Sequence, residues 1–272
     1  MLGKILTETD ITNIIKDYQN NFNLKSIGEK YSISRQRVKR ILINNNITLR
    51  KRTQKYYANY DIFETIDTKE KAYWLGFLAA DGCNYNREEN ASILINISQK
   101  DIEHLEKFKK FCKTNAQIVK YITSAGYSNN SKMCKIVLNS KKMSQDLSDK
   151  GIVPRKSLVL KPPKIDKQFY LPFILGYFDG DGSISKSSKE NTFYMSFVGT
   201  KEILEWICKV LDLNLSLKKK YNDNKNNYYI SVGGINKPYN VLKKLYNSCN
   251  ICLTRKYEKF KILEAVVLSR NI

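Results

Sequence analysis

One segment of the sequence occurs twice, and this repeat constrains the fold more than any other feature. The first copy, residues 73–82, reads YWLGFLAADG, and the second, residues 173–182, reads FILGYFDGDG. Both copies are short, mostly apolar and closed by Asp-Gly. Internal repeats of this kind indicate related structural units, so the chain is predicted to contain two similar halves.

Two further features keep the same spacing of one hundred residues. Arg155-Lys156 in the first half is matched by Arg255-Lys256 in the second. Each half also has a segment with apolar residues at every second position, which is typical of a half-buried strand. The apolar positions are Ile93, Ile95 and Ile97 in one half and Phe193, Met195 and Phe197 in the other.

Each copy of the repeated segment is predicted to form a helix that packs closely against the other copy. Gly76 and Ala80 are four residues apart and so share one helix face, as do Gly176 and Gly180. Small residues on one face let two helix backbones approach each other. The alternative is a pair of ordinary core helices ended by Asp-Gly turns, which fits two copies at one offset less well.

The end of each copy carries an acidic residue, Asp81 or Asp181, followed by a glycine suited to a helix C-terminus. If the two helices lie parallel, their C-termini meet and the two carboxylates lie side by side. Carboxylates at the negative ends of helices repel each other unless a cation lies between them. Oxygen ligands suit Mg²⁺, so the sequence predicts Asp81 and Asp181 as ligands of Mg²⁺, with Mn²⁺ as a substitute.

The charge of the chain points to nucleic acid as a partner. There are 47 Lys and Arg residues against 26 Asp and Glu residues, a formal net charge of +21. Self-repulsion of this size is relieved by a polyanion, although a genome biased towards lysine codons would also raise the charge. His104 is the only histidine and Cys249 and Cys252 form the only CxxC pair, which disfavours histidine-dependent triads and a zinc site.

The distribution of apolar residues argues against a membrane protein. No stretch approaches the roughly 18 consecutive apolar residues of a membrane helix. The first ten residues lack the basic and apolar regions of a secretory signal. We therefore expect a soluble intracellular protein, in the cytoplasm, an organelle or a virus-infected host cell, with no membrane partner.

Residues 1–52 are predicted to form a small all-α domain of three short helices. A capping-box-like start at Thr7 precedes the first helix, and Ser34 can cap the third. Three short helices with a basic third one resemble a helix-turn-helix DNA-binding domain, and a three-helix bundle with a solvated basic face is the alternative. Residues 53–68 are expected to form a linker. The third helix is predicted to present Arg35, Gln36, Lys39 and Arg40 to DNA.

The repeated segments resemble the signature of the LAGLIDADG homing endonucleases, and the double copy resembles the two-repeat, single-chain members of that family. The resemblance covers residues 69–272 and is weaker in the first copy, which has Ala79 where the family has an earlier acidic residue. It implies a mixed α/β fold of two αββαββα repeats, spanning residues 69–165 and 166–272. The repeats would be related by a pseudo-twofold axis, with antiparallel sheets that form a saddle over DNA, in a monomeric protein.

The resemblance implies a site-specific double-strand DNA endonuclease that belongs to a mobile genetic element such as an intron. An enzyme of this kind hydrolyses one phosphodiester bond per strand with Mg²⁺-activated water. By resemblance, Asp81 and Asp181 take the metal-binding positions, and Lys156 and Lys256 match lysines that assist water activation or stabilise charge. Gln99 matches a polar residue that orients solvent, for which the second half has no counterpart.

Polar side chains on the outward faces of the strands are predicted to contact DNA and read its bases. A slip of one residue in strand register would exchange the two faces. The candidates in the first half are Asn84, Arg87, Ser92, Asn96, Lys132 and Lys135. The candidates in the second half are Ser185, Lys186, Thr192, Tyr194, Ser196, Lys218, Lys220, Tyr229 and Ser231.

Two other functions fit the same scaffold. A catalytically inactive DNA-binding transcription regulator is one, although degeneration of that kind usually removes the acids that remain here. An RNA maturase, which assists intron splicing, is the other and would add intron RNA as a partner. The sequence leaves both alternatives open.

Overall fold

The computed structural model describes residues 5–20, 22–49, 56–87, 90–124, 130–187, 192–220 and 225–270. The chain divides into two compact units, Met1–Gln54 and Lys55–Ile272. Residues 1–4, 21 and 50–52 of the predicted first domain, and 53–55 of the predicted linker, lie outside the described part. Within the described ranges no helix is long and apolar enough to cross a membrane.

The first unit consists of three short helices around a small apolar core. The helices are α1 (Glu8–Gln19), α2 (Leu24–Tyr31) and α3 (Arg35–Asn44). Ser32 ends α2 in the left-handed conformation at φ 55°, and the Ser34 side chain then accepts a hydrogen bond from Arg37 N to start α3. This tight turn brings α3 into contact with α2. The core side chains are Ile14, Tyr18, Ile27, Tyr31, Val38 and Leu42.

The second unit contains two four-stranded antiparallel sheets with the same strand order, first-second-fourth-third. One sheet is built from β1 (Gly82–Arg87), β2 (Asn90–Ser98), β3 (Val119–Thr123) and β4 (Ser131–Asn139). The other is built from β5 (Gly182–Lys186), β6 (Phe193–Gly199), β7 (Lys218–Lys219) and β8 (Tyr228–Gly234).

Helices alternate with the hairpins in both halves, which confirms the predicted αββαββα order. The first half uses α4 (Lys69–Ala80), α5 (Ile102–Phe111) and α6 (Lys141–Asp149). The second uses α7 (Tyr170–Asp181), α8 (Lys201–Leu211) and α9 (Asn236–Tyr246). The chain adds a further helix, α10 (Thr254–Arg270), to the second half.

The strands are half-buried, as their alternating sequence predicts. Ile93, Ile95 and Ile97 on β2 face the helices and are almost fully buried, whereas the intervening residues retain solvent access. Phe193 and Phe197 on β6 repeat this pattern. Each sheet therefore has one apolar face covered by helices and one face that retains solvent access.

Helices α4 and α7 pack against each other at backbone distance. A Cβ atom added to Gly76 would lie 2.8 Å from Phe173 C and 2.9 Å from Tyr177 N and would overlap the Phe173 carbonyl oxygen. Gly176 meets the backbone of Tyr73 in the same way. Because Gly180 lies against Ala80, the two helices run parallel and their C-termini meet, which confirms the prediction from the small residues.

The segment predicted as a linker differs from that expectation from residue 56 onwards. Phe63 is fully buried, and Ile62 and Ile66 belong to the same core as α4 and α7. Asn59 N donates to Cys112 O at 2.8 Å, which ties the segment to the C-terminal end of α5. Its apolar residues have no helical or strand period, so the sequence offered no sign that they pack.

We expect Gly76→Ala to lower the free energy of unfolding of the second unit by about 3 kcal/mol, because neither helix backbone can move away from the added methyl group. In an ordinary helix this change stabilises by about 1 kcal/mol, so the sign of the effect is diagnostic. Urea denaturation followed by tryptophan fluorescence measures it, since both tryptophans, Trp74 and Trp206, lie in this unit.

A matched control is Gly151→Ala, at a glycine with φ 99° and no atom within 4 Å of the added carbon. Its cost is only backbone strain, about 1–2 kcal/mol. A Gly76→Ala protein as stable as the parent would show that the helices are not held at backbone contact.

Candidate active site

The two acidic residues of the repeat come together where α4 and α7 end. Asp81 caps α4, with its backbone N–H bonded to Phe77 O at 2.9 Å, and Asp181 is the last residue of α7. A Cβ atom placed on Gly180 would lie 3.3 Å from Asp81 N, so the end of one helix touches the end of the other. The close helix packing therefore places both acids at one point.

The surroundings of the acids make negative charge costly. Burial and, second, the charge of Asp181 raise the pKa of Asp81 to about 6 against the opposing effect of Lys256 and Lys156. Burial also raises the pKa of Asp181, and the same two lysines oppose the rise. Both acids still retain solvent access at the helix ends. A cation bound between them would relieve this cost.

The donor set fits a hard divalent cation that keeps part of its water shell. Within the described ranges, no group of three or more His, Cys, Asp or Glu side chains is placed to hold a metal. Asp81 and Asp181 are thus the side chains that could hold a cation at this point. Mg²⁺ is commonly bound in this way, by one or two carboxylates with several retained waters.

Two buried lysines bind the C-terminal carbonyls of the same helices. Lys256 Nζ donates to Phe178 O and Asp179 O, both at 2.7 Å, and to Gly182 O at 2.6 Å. Lys156 Nζ donates to the carbonyls of Ala80, at 3.2 Å, and Gly82 in the first half. Carbonyls at a helix C-terminus carry the negative end of the helix dipole, which favours a positive charge there. The lysines thus hold the chain on both sides of each acid.

Burying the ammonium groups of these two lysines costs free energy, because they lose contact with water. Lys156 and Lys256 expose 7% and 4% of their surface, and burial lowers the pKa of Lys256 to about 8. Burial also lowers the pKa of Lys156. Both lysines were expected from the repeat to lie near the acids, and the structure places them there, but their bonds to the helix ends were not anticipated.

A buried polar chain connects the two halves behind the acids. Asp179 exposes 1% of its surface, and its Oδ2 accepts hydrogen bonds from Tyr73 Oη at 2.6 Å and Leu253 N at 2.7 Å. Tyr73 Oη also lies 3.1 Å from His104 Nε2. Asp179 thereby holds the chain next to the first turn of α10, which carries Lys256. The sequence signal for this role is an acidic residue inside an apolar segment, at the position that matches Ala79 in the first copy. No role was assigned to Asp179 from the sequence.

Gln99 and its counterpart Gly199 have different surroundings. Gln99 follows β2 directly, at the start of a 3₁₀ turn (Gln99–Asp101), and is partly exposed. A Cβ atom on Gly199 would overlap the hydroxyl of Tyr177 and lie 2.8 Å from Ile203 Cγ2. The Tyr177 hydroxyl donates to Val198 O at 2.8 Å and fills this space. The second half therefore has no room for a side chain at the position of Gln99.

Most of the predicted DNA-contacting residues lie on the open sheet faces. Tyr121 Oη donates to Asn96 Oδ1 at 2.8 Å, and Lys135 Nζ lies 5.0 Å from the Tyr121 ring, so these three form one polar group. Ser183 Oγ lies 2.8 Å from Ser196 Oγ in the other sheet. Strand alternation and exposure also place on the open faces Arg87, Ser92, Ser185, Thr192, Tyr194, Lys218, Tyr229 and Ser231, and Lys220 is exposed just after β7.

The predicted role of Asn84 in DNA contact is wrong. Asn84 exposes 4% of its surface, and its Nδ2 donates to Ile152 O at 2.7 Å and Ser144 O at 3.0 Å. Its Oδ1 accepts from Ser144 Oγ at 2.7 Å. Because β1 pairs Asn84 with Ile93, the side chain points to the helical face and ties β1 to α6.

Lys132 and Lys186 also face the helical side rather than the open side predicted for them. Lys132 is two residues from Cys134, which is buried on the helical face. Lys186 pairs with Phe193, and its Nζ lies 5.9 Å from that ring. Both lysines are exposed because they stand at strand ends, beyond the helices that cover the core. The register of each hairpin, which the sequence does not determine, decides these cases.

His104 predicts a pH dependence of stability. Burial lowers its pKa to about 3, so the folded state keeps the ring neutral while the unfolded chain is protonated below about 6.5. The stability that depends on the neutral ring is complete above this pH and is lost progressively as the pH falls towards 3. Relative to His104→Gln, which does not titrate, we expect the free energy of unfolding to fall by about 1.4 kcal/mol per pH unit in this window.

Urea denaturation of both proteins at several pH values between 3.5 and 7.5 measures the difference. Taking the difference removes the opposing contribution of Asp81 and Asp179, whose raised pKa values act in both proteins. Parallel stability curves for the two proteins would show that His104 does not remain neutral in the fold.

Comparison with known proteins places this geometry in a known fold. Residues 168–257 match the model of the LAGLIDADG-like domain family. No curated protein matches the sequence of the chain. The crystal structure of meganuclease I-SmaMI bound to uncleaveable DNA is 14% identical, with a TM-score of 0.52 over 74% of this chain and 91% of that one.

A second structure supports the same conclusion. The I-SmaMI LAGLIDADG homing endonuclease bound to cleaved DNA is 13% identical, with a TM-score of 0.50 over 76% of this chain and 91% of that one. The sheets, the paired helices and the acids at their ends belong to the part of the chain beyond the first unit. That part has the two-repeat fold of the LAGLIDADG homing endonucleases, and its residues 168–257 match the LAGLIDADG-like domain family.

Proposed function

We propose that this protein is a site-specific endonuclease that cuts double-stranded DNA, one phosphodiester bond per strand, in a reaction that requires Mg²⁺. The observation that carries the proposal is the meeting of Asp81 and Asp181 at the ends of two parallel helices, each end held by a buried lysine. The two I-SmaMI structures of the same fold are bound to DNA, which supports DNA as the substrate.

The open faces of the two sheets are the proposed DNA-binding surface. Their polar side chains alternate with buried apolar ones, so a duplex lying across them would contact every second residue of each strand. The net charge of +21 supplies long-range attraction to phosphates. One chain supplies both acids and both sheets, so we expect the protein to act as a monomer.

Each residue of the candidate site has a proposed task. Asp81 and Asp181 would hold Mg²⁺, or Mn²⁺ in its place, and the bound ion polarises the phosphate and lowers the pKa of the attacking water. Lys156 and Lys256 keep positive charge beside the acids and hold the helix ends that carry them. Gln99 orients solvent on its side of the site.

The first unit is proposed to add DNA contacts through α3. Arg35, Gln36, Lys39 and Arg40 are exposed on this helix, while Val38 and Leu42 are buried in the core of the unit. A major groove admits one helix, and polar residues near its N-terminus reach the base edges.

We expect the Asp81→Asn/Asp181→Asn double variant to bind DNA and to lose double-strand cleavage by at least a factor of about 10³, since it lacks both charged ligands of Mg²⁺. The substrate is DNA that flanks the gene, joined without it. Gel assays with Mg²⁺, with Mn²⁺ and with EDTA measure cleavage, and band shifts in EDTA measure binding.

The outcomes separate the possible functions. Cleavage by the parent protein alone supports the endonuclease, whereas full cleavage by the double variant would remove these acids from the chemistry. Tight binding with no cleavage by either protein would favour a transcription regulator, and preferential binding of intron RNA would favour a maturase.

For the first unit, we expect the triple variant Arg35→Ala/Lys39→Ala/Arg40→Ala to weaken DNA binding and to flatten its salt dependence. Removing one basic side chain that neutralises a phosphate reduces the slope of log K against log salt by about 0.9. Lys16→Ala/Lys25→Ala, on α1 and α2, is the control with two basic residues removed away from α3. An unchanged slope for the triple variant would mean that α3 does not touch DNA.

A further inference from the structure

Two arginines occupy matching positions of the repeat but have different surroundings. Arg155 and Arg255 each stand directly before one of the buried lysines. Arg255 lies in α10, and its Nε and Nη2 donate to Asp101 Oδ1 at 3.0 Å and Oδ2 at 2.9 Å. The Asp101 side chain is only 9% exposed and that of Arg255 is 48% exposed, so this two-pronged pair lies at the surface with its acid largely covered.

Arg155 has no such partner. It is exposed, and its side chain makes no ion pair or hydrogen bond with any residue that the structure describes. The residue one hundred positions after Asp101 is Lys201, which has the wrong charge and itself pairs with Glu205 at 3.7 Å. The nearby acid Glu202 accepts a hydrogen bond from Asn226 at 2.9 Å.

The residues that follow Arg155 contact both halves of the second unit. Lys156 donates to the carbonyls of Ala80 and Gly82, the two residues on either side of Asp81. The chain then continues to Leu158, whose carbonyl accepts from Asn226 Nδ2 at 3.3 Å in the second half. Arg155 is therefore the sequence neighbour of a lysine that reaches the carbonyls around Asp81, and its own side chain is exposed.

The backbone of Arg155 is also unusual. Its φ of 57° lies in the left-handed region, which costs about 1–2 kcal/mol for a residue other than glycine. Arg255, in the first turn of α10, has no such strain. The two arginines thus differ in backbone conformation and in whether they form an ion pair. The matching positions 101 and 201 also carry opposite charges, Asp101 and Lys201.

We propose that Arg155 binds a phosphate of the DNA backbone beside Asp81, whereas Arg255 is occupied by Asp101 and makes no equivalent contact. A guanidinium fork matches the geometry of a phosphate, and an exposed fork without a protein partner is free to bind one. The inference rests on the proposed function. Its consequence is that the two DNA strands are held unequally by two halves of the same fold.

Salt-dependent binding of the full-length protein tests this inference. The probe is a fluorescent 40-base-pair duplex of mixed sequence in EDTA, titrated at several KCl concentrations so that no cleavage intervenes. We expect Arg155→Ala to reduce the slope of log K against log KCl by about 0.9, because one phosphate is no longer neutralised by the protein. Arg155→Lys, which keeps the charge, should retain the slope.

Arg255→Ala is the matched control, since it removes the same side chain at the matching position. It should leave the slope unchanged and lower the melting temperature, because Asp101 loses its partner. Arg155→Ala should leave the melting temperature unchanged.

The outcomes distinguish this inference from the proposed function. An unchanged slope for Arg155→Ala, an equal reduction for both arginine variants, or a lowered melting temperature for Arg155→Ala would each overturn the inference and leave the endonuclease proposal intact. If the parent protein fails to bind the duplex at all, both proposals fail together.

Discussion

The backbone contact between α4 and α7 is the constraint on which the rest of the second unit depends. Gly76 and Gly176 let the two helix backbones touch, since a side chain at either position would collide with the backbone of the other helix. Their C-termini then meet, and the acids that end them must share one site. A larger residue at either glycine would separate not only the helices but also the sheets and the acids that they carry.

That contact brings negative charges close together, and the positive charges of Lys156 and Lys256 offset their repulsion. Two helix ends and two carboxylates concentrate negative charge in one place. Lys256 donates to four of these carbonyls, Lys156 to two, and the resulting bonds stabilise ammonium groups that would otherwise be costly to bury. The positive charge beside the two acids is therefore also part of what holds the helix ends in place.

The features that could be predicted are those that recur. The helices ended by Asp81 and Asp181 and the alternating strands each appear twice, so each copy supported the interpretation of the other. The contribution of Asn84 could not be predicted, because strand register depends on the pairing of Asn84 with Ile93 across a hairpin. The hydrogen bonds of Asp179 were also missed, because it occurs in only one copy and its partners lie far away in the sequence.

The differences between the two halves have a physical origin in the single chain. In a symmetric homodimer every substitution appears on both sides of the axis, so neither site can change alone. Here Asp179 faces the core where the first half has Ala79, and Tyr177 closes the space at Gly199. A duplicated frame held together by the helix pair tolerates such one-sided changes, since each affects a single half while the shared contact keeps the acids together. Under the proposed function, such a frame is suited to asymmetric recognition of a duplex, whose two strands differ in sequence.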